Sequence, residues 1–93
     1  MRAASVDANQ KVIVAALRDV GASVQHIHGV GGGCPDIIVG YRGVNYLIEI
    51  KDGSKPPSQR KLTPKEQIFH DNWQGQKAIA NNIDEALEVI GAI

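Results

Sequence analysis

The sequence predicts a single α/β domain spanning residues 1–93, with elements in the order α-β-β-β-α-β-α. Three observations predict it. Apolar residues near the N-terminus recur at helical spacing. Two runs, "PDIIVGY" and "VNYLIEIK", are rich in β-branched and aromatic residues and meet at Arg42 and Gly43. Downstream, "LTPKEQ" carries the signals of a helix start. A chain of 93 residues is enough for one core and too short for two.

In the first helix, "VDANQKVIVAALRDVG", Ile13, Ala16, Leu17 and Val20 form an apolar stripe. Asp7 and Gln10 stand as a capping box, and Gly21 is the C-terminal stop. "ASVQHIHGV" alternates as a strand, which puts His26 and His28 on one face. "GVGGGC" breaks that strand, and the two middle strands follow. "DGSKPPSQRK" is a Pro-, Ser- and Lys-rich loop with the composition of a mobile segment. Thr63 is the next N-cap, with Pro64 at the first helical position and Glu66 closing a capping box; Gly75 is the expected end of that helix. "QKAIA" is a short strand. The last helix, "NNIDEALEVIGAI", takes Asn82 or Asp84 as its cap.

The chain carries ten basic and ten acidic residues, so overall charge names no acidic partner. The distribution is uneven: from Lys51 to Lys65 five cations face one acid, Asp52. Such a patch meets phosphates even on a neutral molecule, although a solvated loop is the commoner meaning of a charge run. One cysteine, Cys34, excludes an intramolecular disulfide and fits a reducing cytosol. No apolar run reaches the roughly eighteen residues of a membrane span, and "MRAASVDANQ" lacks the apolar centre of a signal peptide. A soluble, cytoplasmic domain without membrane contact is expected.

The middle strands hold the chemistry. With a two-residue turn at Arg42 and Gly43, Asp36 lies directly across from Glu49. Ile37, Val39, Tyr41, Val44, Tyr46, Ile48 and Ile50 then share one apolar face, and Asp36, Glu49 and Lys51 share the other. Like charges facing each other across a ladder destabilise it unless a cation sits between them. Carboxylate oxygens suit Mg²⁺ (or Mn²⁺), which keeps several of its own waters. An ammonium beside that cation can hold or deprotonate water and neutralise charge developing on a phosphate. The plainer alternative is a salt-bridged hairpin in which Lys51 pairs with Glu49 or Asp36.

At these residues the sequence resembles the PD-(D/E)xK nuclease superfamily. "PD" at 35–36 is followed by "EIK" at 49–51, with the two acids thirteen positions apart. More narrowly, it resembles the VRR-NUC family of small stand-alone phage and bacterial nucleases, through "GGGCPDIIVG", "LIEIK" and "LTPKEQ". The resemblance implies a restriction-endonuclease-like core, α-β-β-β-α-β with a C-terminal helix, in which a mixed sheet is flanked by helices. It implies Asp36, Glu49 and the Ile50 backbone carbonyl as metal ligands, and Lys51 as the residue that positions or activates water. Gln67 matches a supporting glutamine that binds the attacking water or orients Lys51. Where many relatives carry a first-helix glutamate that reaches the metal, this chain has Gln10; the resemblance implies that Gln10, or Asp7 one turn earlier, reaches the metal through water.

"GVGGGC" lacks the spacing of a dinucleotide fingerprint or P-loop, so its glycines serve a tight bend beside Asp36. His26, His28, Cys34 and His70 match no standard zinc spacing. Phe69 and Trp73 have core helix spacing rather than that of a base-stacking platform. Arg42, Lys55, Arg60, Lys61 and Lys65 are candidate phosphate contacts, which position DNA without reading its sequence. The expectation is a metal-dependent, structure-selective DNA endonuclease resembling a Holliday-junction resolvase. It would act as a homodimer on branched DNA in a bacterial or phage-infected cell. The alternative is a DNA-binding module that keeps the nuclease fold with impaired catalysis.

Overall fold

The first helix forms because one stripe of it is apolar. Residues 8–93 are described by the computed structural model, and the Asp7 half of the first capping box lies outside them. In α1 (Ala8–Asp19) the buried positions are Gln10, Ile13, Val14 and Leu17, at i, i+3, i+4 and i+7. Val20, expected in that stripe, is exposed. The helix has already ended there, in a Schellman motif in which Gly21 has φ +95°. The Gly21 N–H donates to the Arg18 carbonyl, and the buried Ala22 donates to Leu17.

Four strands form one mixed sheet in sequence order: β1 (Ser23–His26), β2 (Ile37–Tyr41), β3 (Val44–Ile50) and β4 (Lys77–Ala80). The first two pairings are antiparallel, and β3 with β4 is parallel. A parallel pair needs a crossover, which α2 (Pro64–Asn72) supplies; α3 (Ile83–Val89) closes the chain. The middle register is the expected one, with Tyr41 opposite Val44 and Ile37 opposite Ile48. Arg42 (φ +50°) and Gly43 (φ +81°) form the two-residue turn, both in the left-handed region that tight hairpins require. The Arg42 guanidinium lies 5.0 Å over the Tyr41 ring.

One face of the sheet is dry. Ile37, Val39 and Ile48 are fully buried against Ile13 and Leu17 of α1, and Ala86 of α3 joins the same core. Burying each large aliphatic side chain contributes about 1.5–3 kcal/mol. That face anchors the hairpin, so the acidic residues of the other face are held on a rigid support.

Two further elements depart from expectation. β1 stops at His26, and His28 belongs to a 3-10 turn, His28–Val30, rather than to the strand. Pro35 has no N–H with which to continue the ladder, so the last bond there is from Ile27 N to the Asp36 carbonyl, at 3.0 Å. α2 ends at Asn72, before Gly75; the carbonyls of its His70 and of the capping residue Trp73 accept from the Lys77 ammonium. Asn82 caps α3 by accepting from the Glu85 amide at 2.8 Å, which leaves Asp84 inside the helix. Among the described residues no helix is long and apolar enough to cross a membrane.

Candidate active site

Asp36 enters β2 directly behind the buried Pro35, and its side chain substitutes for a missing rung of the ladder. Oδ2 accepts from the Ile50 amide at 2.7 Å, so the carboxylate is fixed against the end of β3. Glu49, its cross-strand neighbour, is only 3% exposed. Burial, reinforced by a hydrogen bond and charge repulsion from Asp36, pushes the Glu49 carboxyl up to about 9. A proton thus sits where two carboxylates would otherwise repel. The expected juxtaposition of Asp36 with Glu49 is present.

Lys51 stands on the same face, with Nζ 3.6 Å from Glu49 Oε2 and 2.8 Å from Glu66 Oε1. Its side chain is 15% exposed. Burial works against its charge, but the Glu66 hydrogen bond and the Glu49 and Asp36 charges outweigh it and raise the pKa. Lys51 is therefore an ammonium, suited to donating hydrogen bonds and neutralising charge, and ill suited to removing a proton.

Glu66 is a site residue that the sequence identified only as a cap. Its Oε1 accepts from the Thr63 amide at 2.9 Å, and the Thr63 hydroxyl accepts from the Glu66 amide at 3.3 Å, which completes the capping box. The same oxygen holds Lys51. The capping signal was legible; its second partner, fifteen residues back, was not. Gln67 does not orient Lys51: it is exposed and donates to Asp71 Oδ1 at 2.8 Å. On a helix, neighbouring positions face different ways, so only one of Glu66 and Gln67 can meet the lysine.

From α1, Asn9 donates to the Lys51 carbonyl at 2.6 Å and locks the backbone behind the lysine, a contact across 42 positions with no sequence signature. Gln10 is buried, and its amide nitrogen lies 3.2 Å from His26 Nδ1. His28 has an exposed ring 3.6 Å from Asp36 Oδ1. Cys34 borders the carboxylates; burial, and then Glu49 and Asp36, raise its pKa and keep the thiol protonated.

The Gly-rich loop is built for contact with α2. A Cβ on Gly33 would lie 2.3 Å from the Lys65 carbonyl oxygen, and φ is +82°. Gly31 and Gly32 also have positive φ but face open space. Gly33→Ala is expected to cost about 2–3 kcal/mol and lower Tm by roughly 10 °C, whereas Gly32→Ala costs only about 1 kcal/mol. Equal Tm values for the two variants in thermal denaturation would refute this loop packing.

The candidate phosphate contacts fall in two places. Lys55, Arg60, Lys61 and Lys65 follow Lys51 at the catalytic end; Arg60 donates to the Lys55 carbonyl at 2.8 Å, and Asp52 accepts from Ser54, so the loop carries its own bonds. Arg42 is at the far end of the hairpin, six positions from Asp36, or roughly 20 Å along an extended strand. Phe69 and Trp73 are not core: their rings stack with centroids 5.3 Å apart, and Trp73 is 44% exposed beside the exposed Ile68. α2 buries only His70, because Glu66 directs its inner side to a polar site.

Among the described residues no group of three or more His, Cys, Asp or Glu side chains is arranged to hold a metal. Two adjacent carboxyl groups remain, Asp36 and Glu49, and a hard divalent cation that retains most of its water fits where they share a proton. Ile50, the expected carbonyl ligand, adjoins them through the hydrogen bond that its N–H donates to Asp36.

No protein-family model matches the sequence. No curated protein matches it either. Among solved structures, a chain described as a "VRR_NUC domain" superposes with a TM-score of 0.65 at 21% identity, covering 87% of this chain and 88% of that chain. The likeness is one of fold: the four-stranded mixed sheet with its three helices is the core expected from the resemblance.

Proposed function

We propose that this domain is a divalent-metal-dependent endodeoxyribonuclease that cuts branched DNA as a homodimer. The observation that carries the reading is the buried Glu49 carboxyl beside the half-buried Asp36, with the Lys51 ammonium 3.6 Å from Glu49. Asp36, Glu49 and the Ile50 carbonyl would hold the cation, which supplies charge neutralisation and acidified water at the scissile phosphate. The chain's own residues do the rest. The Ile50 amide fixes the Asp36 carboxylate, Glu66 holds Lys51 charged, and Lys51 donates to the attacking water or to a phosphate oxygen as negative charge builds. The cations from Lys55 to Lys65 flank that point and suit backbone phosphates. No element of the described fold resembles a base-reading helix, which supports selection by DNA shape.

The test is incubation with four-way-junction, flap and linear duplex DNA in Mg²⁺, Mn²⁺ or chelator. Paired, symmetric, metal-dependent cuts on the junction are expected. Cutting of linear DNA alone would remove the branched-substrate reading. Binding without cleavage in any metal would favour the second reading, a DNA-binding module with impaired catalysis. That reading draws on Gln10, whose amide is engaged by His26 where many nucleases of this kind supply a carboxylate.

A further inference from the structure

The flank of α1 beside its buried stripe carries a cavity that the proposed chemistry does not use. Its volume is about 240 Å³, and it is lined by Lys11, Val14, Ala15, Arg18 and His26. Lys11, Ala15 and Arg18 lie at i, i+4 and i+7, so one helical stripe faces the open edge of the sheet at β1. Two cations, Lys11 and Arg18, stand at this cavity, and no carboxylate lines it. One of them is also organised. The Arg18 guanidinium is held at the rim by donating to the Val24 carbonyl at 3.2 Å, and the guanidinium has further N–H donors to offer. The His26 ring is oriented by Gln10, whose amide nitrogen lies 3.2 Å from Nδ1. Val14 and Ala15 give the floor an apolar patch of the kind a deoxyribose can cover.

From these groups we infer a phosphate-binding subsite at Lys11, Arg18 and His26, occupied by a backbone phosphate of bound DNA. The inference rests on the nucleic-acid reading above and extends it. His26 is the last residue of β1, paired with Ile37, and Ile27 next to it bonds Asp36. A strand leaving the catalytic carboxylates over the β1 edge therefore runs toward this cavity. The subsite gives the substrate a second fixed point on the side opposite the loop cations from Lys55 to Lys65. The same phosphate chemistry is offered by a free nucleotide, so the experiment must separate the two sources.

Binding is measured in EDTA by fluorescence anisotropy against salt, with wild type, Lys11→Gln, Lys11→Gln/Arg18→Gln and Ala15→Leu. Lys11→Gln and Ala15→Leu disturb no bond that holds the fold, so they remain informative if the Arg18 change destabilises the β1 edge. DNA affinity is expected to fall several-fold in each variant at 0.1 M salt. The slope of log K against log salt is expected to shrink by about 0.9 in the double variant, the loss of one phosphate contact. Ala15→Leu is the decisive variant, because it fills the cavity without changing charge. Wild-type affinity in Ala15→Leu would overturn the subsite and reduce Lys11 and Arg18 to long-range attraction. Titration with deoxyadenosine monophosphate, followed at the Ala15 and His26 amides by NMR, tests the other source. Saturation at micromolar nucleotide, with DNA affinity unchanged in all variants, would overturn the DNA assignment. Cleavage is scored separately on wild type with Mg²⁺, so an inactive enzyme that still loses DNA affinity in these variants refutes the nuclease reading and leaves the subsite standing.

Discussion

Lys51→Met is expected to lower Mg²⁺-dependent cleavage by at least about 10²–10³-fold, the usual loss when a preorganised charge aimed at the transition state is removed. DNA affinity should stay within a few-fold, because one of several cations is lost. Stabilisation by Mg²⁺ should persist, because Asp36 and Glu49 remain. Lys51 acts through its protonation state. Glu66 Oε1 at 2.8 Å and Glu49 Oε2 at 3.6 Å hold the ammonium charged against the effect of burial. A charged lysine acts by donation, so its loss removes transition-state stabilisation and leaves ground-state binding intact. Glu66→Gln should weaken cleavage less than Lys51→Met, because the amide oxygen still accepts from the lysine while the fixed negative charge is gone. Single-turnover rates at saturating enzyme make the measurement. A Lys51→Met rate within threefold of wild type would remove the lysine from the chemistry. Loss of the Mg²⁺-induced Tm shift in that variant would instead make the lysine part of the metal site.

The residues that were legible in the sequence are those whose geometry is set locally. The turn at Arg42 and Gly43 fixes every pairing of the hairpin, so Asp36 opposite Glu49 followed from a two-residue loop and the alternation of strand faces. The Thr63–Glu66 box likewise needs only three positions of spacing. What escaped depends on contacts between distant segments. Glu66 reaching Lys51, Asn9 reaching the Lys51 carbonyl and Gln10 turning to His26 leave no periodic trace. Phe69 and Trp73 show the same limit from the other side. Their spacing is that of a buried stripe, but the stripe has no apolar partner where α2 meets a polar site, so the rings stack on each other at the surface. His28 left the strand because of Pro35, whose missing donor ends the ladder on the neighbouring strand.

Glu49→Gln should make the metal-free protein more stable while making it inactive, the second large effect. Folding without metal places the Glu49 carboxyl beside Asp36, and burial first, then Asp36, raises its pKa from 4.5 to about 9. A raised folded-state pKa means that the folded form holds a proton the unfolded chain releases. The associated stability is fully present below pH 4.5 and is lost as pH rises toward about 9. In EDTA, the Glu49 contribution to wild-type Tm should therefore decline between pH 4.5 and about 9, while Glu49→Gln, neutral throughout, should lack that decline and exceed wild type by several degrees at the upper end. Mg²⁺ reverses the order. The cation replaces the proton, and at a hundred times its Kd adds about 2.7 kcal/mol, or roughly 10–20 °C for a domain of this size. Glu49→Gln should show little of that gain, because an amide oxygen is a weaker ligand and the charge that recruits the cation is halved. A thermal scan over pH, with EDTA and with Mg²⁺, separates the outcomes. If wild-type Tm is flat across the EDTA window, the two carboxyl groups do not share a proton. Equal Mg²⁺ shifts in wild type and Glu49→Gln would place the cation elsewhere. A variant more stable without metal and indifferent to it would mean that the acid facing Asp36 is retained at the expense of stability, the mark of a group kept for binding and chemistry rather than for folding.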